Sequence, residues 1–315
     1  MGHAALEQTV AHSTRAGAES CAAAGWAWIL RHLGLFAPAD PFNPDDMQRI
    51  VELALLYGYT RDWSGEPAAV PPLRPVEDFL RDFLTDPVLA QYARKRPVLF
   101  SPYFLAYLAM RPLGWRLPGY EDGLVAAGRA GYPDALETTP YRELEMRHMM
   151  WKAGLRPRRP DCAGAYPGTV LARNDNPVHL NIPTVYSITH TLFYLTDYCG
   201  PADVMPPAER DRAVDVVECL FAHYWRKRDW DLVGELGLNL VSLDRYDTPL
   251  FTAGVGELLA AWTGEPDGAL PGRNFKPEDA DSEPDYRFTH AYHTTLVGTL
   301  FCLAYLHRTH NGGPR

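Results

Sequence analysis

A histidine and an aspartate interrupt an otherwise apolar segment near the middle of the chain, YSITHTLFYLTDYCG at residues 186–200. On a helix each residue turns by about 100°. That spacing places four polar side chains on one face: Tyr186, His190, Tyr194 and Asp197. The face has none of the Lys, Arg and Glu that solvent-exposed helix faces carry. It therefore predicts a polar surface inside the fold, either the wall of a cavity or a hydrogen-bonded cluster in the core.

His190 and Asp197 have the side-chain chemistry of an acid–base pair. An imidazole titrates near neutral pH, and a carboxylate can hold it in one orientation. If this face lines a cavity, we predict that His190 is the general acid or base and that Asp197 orients it. Two tyrosines of the same face, Tyr186 and Tyr194, would then contact the substrate.

Two other weakly charged segments carry polar side chains at helical spacing. The first segment holds Glu235, Asn239, Ser242 and Tyr246, and the second holds Tyr286, His290, His293 and Thr294. If the three helices converge, these side chains line the same cavity, and His293 is then a third catalytic residue. The predicted substrate-binding residues of the two segments are Glu235, Asn239 and Tyr286. The alternative for residues 235–246 is a polar network between helices.

His290 and His293 also predict a divalent metal site. Residues three apart share a helix face, and two imidazoles can bind one ion. The third ligand would be His190, Asp197 or Glu235. The pair lacks the Glu of the HExxH motif, so the alternative is a pair of ordinary cavity or core histidines.

Glu145 and His148 have the ExxH spacing of carboxylate-bridged di-iron sites. Such a site needs a second ExxH and two further glutamates, and we find no second copy in the sequence. With Arg142 and Arg147 close by, a surface salt-bridge network is the favoured interpretation.

Motifs of several common enzyme classes are absent from the sequence. It has no P-loop, no GxGxxG after a strand and no GxSxG elbow. Residues 229–231 (DWD) resemble the start of the DxDD motif of class II terpene cyclases, but Leu232 stands where the last aspartate would be. Asn239 and Ser242 have the spacing of a class I cyclase motif, in which Tyr246 replaces the acid. These partial matches leave the reaction type open.

The composition predicts a soluble protein that does not bind nucleic acid. The chain has 315 residues, 46% of them hydrophobic, which is enough for a large core. Its formal net charge is -9, and no basic run is interleaved with aromatic residues. No apolar run reaches the roughly 18 residues that span a bilayer, and the N-terminus lacks a basic region followed by an apolar one. Because the five cysteines are scattered and form no CxxC pair, we expect free thiols and a cytoplasmic protein.

Helical periodicity dominates the chain, and no convincing strand segment is present. Asn43-Pro44 and Thr139-Pro140 are typical helix starts. The sequence predicts an all-α protein with one domain, residues 1–315. The predicted helices are 4–33, 44–58, 75–94, 98–110, 120–130, 139–154, 183–198, 206–228, 231–245, 249–262 and 286–308.

Strongly charged helices alternate with weakly charged ones in the second half of the chain. The charged helix at 206–228 has an apolar stripe on one side, which is typical of an outer helix. The weakly charged helices at 183–198, 231–245 and 286–308 would lie inside. This alternation predicts an α/α toroid of helical hairpins, with an open helical solenoid or an irregular helical bundle as alternatives. Long Pro/Gly-rich connections are candidates for a rim or lid: 111–119, 155–182 and 263–285.

Residues 184–200 and the later segment YHTTLVGTL at 292–300 resemble an uncharacterised all-helical bacterial family, often encoded near natural-product pathways. The resemblance lies mainly in the C-terminal half and implies no settled activity, but it favours a role for His190, Asp197 and His293. We expect an enzyme of bacterial natural-product metabolism, a lyase, cyclase or hydrolase, that acts on a small molecule. The competing hypothesis is a non-catalytic helical scaffold that binds a peptide or a carrier protein. The oligomeric state and any cofactor other than a divalent metal stay open.

Overall fold

The structure, a computed structural model, describes residues 3–63, 70–96, 99–173, 176–200, 202–279 and 285–311. Every regular element in these ranges is a helix, which confirms the predicted all-α class. None of these helices is both long and apolar enough to cross a membrane. In chain order the α-helices are α1 (His3–Arg31), α2 (Gln48–Asp62), α3 (Arg74–Leu84), α4 (Pro87–Lys95), α5 (Phe100–Met110), α6 (Pro118–Arg129), α7 (Pro140–Lys152), α8 (Val170–Arg173), α9 (Ile182–Thr196), α10 (Pro207–Lys227), α11 (Trp230–Ser242), α12 (Pro249–Thr263) and α13 (Tyr286–Asn311).

Local backbone geometry shortens two of the predicted helices. The predicted helix 75–94 is wrong as a single element, because Pro87 disfavours a helical backbone at Asp86 and divides it into α3 and α4. The Asp86 side chain then caps α4 by accepting a hydrogen bond from the Val88 N–H. Likewise α9 ends at Thr196 rather than at 198, since Asp197 and Tyr198 have left-handed backbones with φ of 51° and 62°.

The chain divides into two compact units. Unit 1 comprises Met1–Arg31, Gly65–Pro71 and Asp161–Arg315, and thus contains α1 and α8 to α13. Unit 2 comprises His32–Ser64 and Pro72–Pro160, and contains α2 to α7. A compact unit can be smaller than a domain, so the expectation of one domain over residues 1–315 stays a prediction.

The innermost helix of unit 1 is α11. It packs against α9, α10, α12 and α13, while α1 packs against α12 and α13. All residues of α11 from Asp231 to Ser242 are buried. Two glycines let α13 approach α11 closely, since a Cβ at Gly234 would lie 2.9 Å from Val297 and one at Gly237 would lie 3.0 Å from Phe301. The polar side chains of α11 are therefore inside unit 1, where each needs a partner.

Glu145 and His148 lie on α7 in unit 2, and both are buried. The predicted surface salt-bridge network is therefore wrong for these two residues. Glu145 does pair with Arg142, with contacts of 2.8 and 2.9 Å, but the carboxylate lies in the interior. His148 Nε2 lies 3.3 Å from the Tyr59 hydroxyl, a contact between two buried side chains. The pair belongs to the core of unit 2 rather than to a solvated face.

Candidate acid–base site

Three carboxylates at the start of α11 form the base of a polar cluster in unit 1. Asp229 is the N-cap of α11 and accepts a hydrogen bond from the Leu232 N–H at 3.4 Å. Asp231 and Glu235 follow at one-turn spacing, and their exposed fractions are 4% and 2%. We use the name acidic cluster for eight side chains: Tyr186, Thr189, His190, Asp229, Asp231, Glu235, Arg273 and His293.

Helix α9 contributes a hydroxyl and an imidazole to Glu235. Thr189 Oγ1 donates to Glu235 Oε2 at 2.5 Å and lies 3.2 Å from His190 Nδ1. His190 Nδ1 itself is 3.7 Å from the same carboxylate oxygen. The Thr189 hydroxyl has one hydrogen and two possible acceptors, since it also lies 3.1 Å from the Tyr186 carbonyl. The contact with Glu235 is the shorter one, so we assign that hydrogen to the Glu235 bond. The Thr189 oxygen then accepts from His190 Nδ1–H, which leaves Nε2 of the neutral imidazole without a proton.

Helix α13 contributes a second imidazole to the same carboxylate. His293 Nε2 lies 3.4 Å from Asp231 Oδ1 and 4.0 Å from Glu235 Oε1. His190 and His293 therefore approach different oxygens of Glu235, from two different helices. The side chains of His190 and His293 are 24% and 32% exposed, whereas the Glu235 side chain is 3% exposed. A small molecule can thus reach the imidazoles, and the carboxylate lies behind them.

Tyr186 connects Asp231 to an arginine. The Tyr186 hydroxyl donates to Asp231 Oδ2 and accepts from Arg273 Nη2 at 2.5 Å. The guanidinium of Arg273 also lies 3.5 Å from Asp229 Oδ2 and 3.9 Å from Asp231 Oδ2. Burial and then the charge of Asp231 raise the pKa of Tyr186 far above its usual range. The phenol therefore keeps its proton and acts as a hydrogen-bond donor to Asp231.

Backbone contacts with α13 fix the segment that carries Arg273, between α12 and α13. The Gly272 N–H donates to the His290 carbonyl at 2.9 Å, and the Leu270 N–H donates to Thr295 Oγ1 at 2.9 Å. A Cβ at Gly272 would lie 2.7 Å from the His290 carbonyl oxygen, so this approach requires glycine. The segment lies within 263–285, which the sequence predicted as a rim or lid.

Four of the predicted site residues belong to the acidic cluster: Tyr186, His190, Glu235 and His293. Two others lie close to it. Tyr194 is buried, and its ring centroid is 6.0 Å from that of His190. Asn239 lies one turn beyond Glu235 on α11 and is 0% exposed, and neither atom of its amide has a hydrogen-bond partner among the described residues.

Asp197, the predicted partner of His190, lies at the C-terminal end of α9. It is seven residues away, which is roughly 10 Å along a helix axis, and it follows the last helical residue of α9. The carboxylate next to His190 Nδ1 is that of Glu235 instead. The sequence could not reveal this, because the predicted face required the helix to continue through position 197.

His290 and Tyr286 contact each other, with ring centroids 4.3 Å apart, and the Tyr286 hydroxyl accepts a hydrogen bond from the Lys276 N–H at 3.2 Å. Tyr286 therefore fixes the connection that precedes α13. Across the described ranges, no group of three or more His, Cys, Asp or Glu side chains is placed to hold a metal ion. The predicted metal site at His290 and His293 gains no support from this geometry.

Four residues of the acidic cluster were missed by the site prediction: Thr189, Asp229, Asp231 and Arg273. Asp231 could have been found, since residues 231, 235 and 239 are polar at intervals of four in an otherwise apolar helix. Thr189 precedes His190 directly, a spacing that places it outside the predicted polar face. Arg273 lies in an irregular connection, where no periodicity indicates which side chain turns inward.

The buried position of Asp229 predicts how the free energy of unfolding depends on pH. Burial is the main cause that raises the pKa of Asp229, while Arg273 opposes the shift and Asp231 adds to it. An acid with a raised pKa in the folded state destabilises that state when ionised, so the cost is present at neutral pH. It disappears as the pH falls below the usual value near 3.8. An asparagine side chain keeps the cap acceptor without the charge, so Asp229→Asn is expected to unfold at a higher urea concentration at pH 7.

The comparison is made by urea unfolding of the wild type and Asp229→Asn at several pH values. The stability difference should shrink as the pH is lowered toward 4. A variant that is less stable than the wild type at pH 7 would show that pairing with Arg273 outweighs the cost of burial.

Fold and site together define an all-α protein with a buried carboxylate that two imidazoles share. The family model described as a domain of unknown function (DUF6895) matches residues 22–303, so the chain belongs to this family. The match covers most of the chain and agrees with the expected membership of an uncharacterised family. Comparisons with curated proteins and with solved structures gave no match.

Proposed function

We propose that the protein is an enzyme that acts on a small molecule by acid–base catalysis at the acidic cluster. One observation carries this proposal. His190 Nδ1 and His293 Nε2, from α9 and α13, lie 3.7 and 4.0 Å from the two oxygens of buried Glu235. Two partly exposed imidazoles on a shared carboxylate can bind a proton on one side of a substrate and release one on the other.

The two imidazoles would have different roles. His190 acts as the general base through Nε2, because its Nδ1–H donates to Thr189 and Thr189 donates to Glu235. This relay is similar in logic to the carboxylate that orients the imidazole of a catalytic triad, with a hydroxyl inserted between them. His293 acts as the general acid, since Asp231 Oδ1 and Glu235 Oε1 both stabilise its protonated form. Tyr186 and Arg273 hold Asp231 in place.

We also propose a fold, a biological role, a substrate class and a cellular location for this enzyme. The alternation of charged and weakly charged helices supports an α/α toroid. The sequence resemblance supports a bacterial enzyme of natural-product metabolism, a lyase, cyclase or hydrolase. The acidic net charge supports a small-molecule substrate rather than nucleic acid, and five free cysteines support a cytoplasmic location.

Turnover can be tested before the substrate is known. A small-molecule extract of cells that encode the protein is incubated with the purified protein and compared by mass spectrometry with an untreated extract. The wild type is expected to convert at least one compound, and Glu235→Gln is expected to lose this conversion, because glutamine cannot stabilise a protonated imidazole. Glu257→Gln is the matched control, since Glu257 is an exposed residue of α12.

Far-UV circular dichroism and melting curves show whether Glu235→Gln retains the fold. If no compound changes, or if a folded Glu235→Gln converts the same compounds as the wild type, the catalytic proposal fails. A compound that is bound but not converted would instead favour the scaffold hypothesis.

A further inference from the structure

We propose that the ligand of the acidic cluster is a small organic cation with N–H donors, a primary ammonium or a guanidinium, whose nitrogen donates to Asp231 Oδ1. This inference deepens the proposed function. The ligand is a substrate only if the protein is the enzyme proposed above. Three features of the cluster support it: an excess of negative charge, a buried carboxylate oxygen that forms no hydrogen bond, and a guanidinium that the cluster already binds.

The carboxylates outnumber the guanidinium in the cluster. Asp229, Asp231 and Glu235 are 6%, 4% and 2% exposed, and Arg273 is the cluster's guanidinium. With neutral imidazoles, the eight side chains carry two more negative than positive charges, and one more when His293 is protonated, as the proposed general acid is. Burying uncompensated carboxylates is costly, and a cationic ligand reduces that cost when it binds.

Asp231 Oδ1 shows where the ligand would bind. The other oxygen of this carboxylate, Oδ2, accepts from the Tyr186 hydroxyl. Oδ1 is buried and has no hydrogen-bond donor among the described residues. His293 Nε2 lies 3.4 Å from it, in a position where a donor group of a ligand would meet the carboxylate and the imidazole together. A buried oxygen of this kind destabilises the protein until a donor reaches it.

The amide of Asn239 is a second buried group without a partner. Its Oδ1 and Nδ2 form no hydrogen bond within the described ranges, one turn beyond Glu235 on the same helix. An amide can both accept and donate. A ligand that extends from Asp231 along α11 would therefore find a polar contact at Asn239, which favours a molecule with a polar group beyond its nitrogen.

Arg273 shows that the cluster accepts a guanidinium. Its Nη2 donates to the Tyr186 hydroxyl at 2.5 Å, and its Cζ lies 5.6 Å from the centroid of the Tyr186 ring. Tyr186 thus contacts a cation with both its hydroxyl and its ring face. Arg273 approaches the Asp231 carboxylate at Oδ2. A ligand nitrogen at Oδ1 would bind to the opposite oxygen of the same carboxylate.

A cationic nitrogen also suits the proposed base. An ammonium group has no lone pair, so it must lose a proton before it can act as a nucleophile. His190 Nε2 can accept that proton: the N–H bond of the ligand breaks, its electron pair stays on nitrogen, and an N–H bond forms on the imidazole. The relay through Thr189 to Glu235 then stabilises the imidazolium.

The test is a binding titration that needs no turnover. Methylguanidinium and ethylammonium chlorides are added to the protein, and the ring proton signals of His190 and His293 are followed by NMR at constant ionic strength. N-methylurea serves as the neutral counterpart of methylguanidinium. At least one of the cations is expected to give saturable shifts of both histidines, whereas N-methylurea gives none.

The variants locate the site. Asp231→Asn is expected to weaken cation binding at least tenfold, and Glu257→Gln is expected to bind as the wild type does. Glu235→Gln provides a second weakened variant if Asp231→Asn does not fold. The inference is overturned if neither cation gives saturable shifts, if N-methylurea gives equal ones, or if folded Asp231→Asn binds like the wild type. Where Asp231→Asn does not fold, wild-type binding by folded Glu235→Gln overturns it.

The result of the binding titration is independent of the result of the turnover experiment. Turnover of a compound without cation binding would leave the acid–base enzyme standing and remove the cationic substrate. Cation binding without turnover of any compound would keep the ligand class and make the protein a binding protein.

Discussion

Thr189→Val is expected to lower the free energy of unfolding by about 1.5–3 kcal/mol, because it removes a hydrogen bond to a buried charged group. Thr189 is 0% exposed, and its hydroxyl donates to the Glu235 carboxylate, which is 2% exposed. Valine has nearly the same shape but no hydroxyl, so it leaves the oxygen of Glu235 and Nδ1–H of His190 without this partner. Urea unfolding of the wild type and the variant measures the difference.

Thr191→Val on the same helix is the matched control. Thr191 is also 0% exposed, but its hydroxyl donates to the Ser187 carbonyl, within the helix. Such a bond within a helix contributes little to stability, so the expected loss is under about 1 kcal/mol. Thr189→Ser should retain most of the wild-type stability, since it keeps the hydroxyl. Equal losses in Thr189→Val and Thr191→Val would contradict the relay.

The same variants report on the tautomer of His190. Nitrogen-15 NMR of labelled histidine distinguishes a protonated ring nitrogen from an unprotonated one. The wild type and Thr189→Ser are expected to carry the proton of neutral His190 on Nδ1. A proton on Nε2 of neutral His190 in the wild type would contradict the proposal that Nε2 is the general base.

Gly254→Ala is expected to lower the free energy of unfolding by about 1–3 kcal/mol, as overpacking of a filled core does. Gly254 lies on α12 where the helix meets α10. A Cβ at this position would lie 2.5 Å from Cε1 and 2.7 Å from Cζ of Phe221, a fully buried ring. Because the buried phenyl ring is rigid, the added methyl group fits only if α10 and α12 move apart. Thermal or urea unfolding measures the loss.

Gly256→Ala, two residues further along α12, is the control with the opposite sign. Gly256 is exposed, and a Cβ there would meet nothing within 4 Å. Alanine in a helix interior restricts the unfolded chain, so this variant should gain about 0.5–1 kcal/mol. If both variants lose stability by similar amounts, the close packing of α10 on α12 is not the cause.

The helices were predictable where periodicity and start signals agreed. Helix α7 begins at Pro140 after Thr139, as the Thr-Pro pair indicated. The break between α3 and α4 was missed although Pro87 was visible, because the apolar pattern continues across it. Periodicity reports which residues share a face, and a single proline can interrupt the backbone without changing that pattern.

The site was predictable only in part, since a sequence pattern does not show which helices meet. His190, Glu235 and His293 were predicted from their faces, and the structure brings them together. The partner of His190 was predicted on its own helix, at Asp197, whereas the structure supplies it from α11. A contact between helices depends on crossing geometry that no local spacing contains.

The packing of α1 on α12 and α13 has a consequence for synthesis on the ribosome. The thiol of Cys21 in α1 lies 3.8 Å from the Leu259 carbonyl in α12, a contact that spans 238 residues. At a translation rate of 5–20 residues per second, roughly 12–50 s pass between the emergence of these two segments. During that time the inward side of α1, including Trp26 and Trp28, has not met the helices that bury it. The nascent chain therefore exposes an aromatic surface that chaperones can bind until the C-terminal helices emerge.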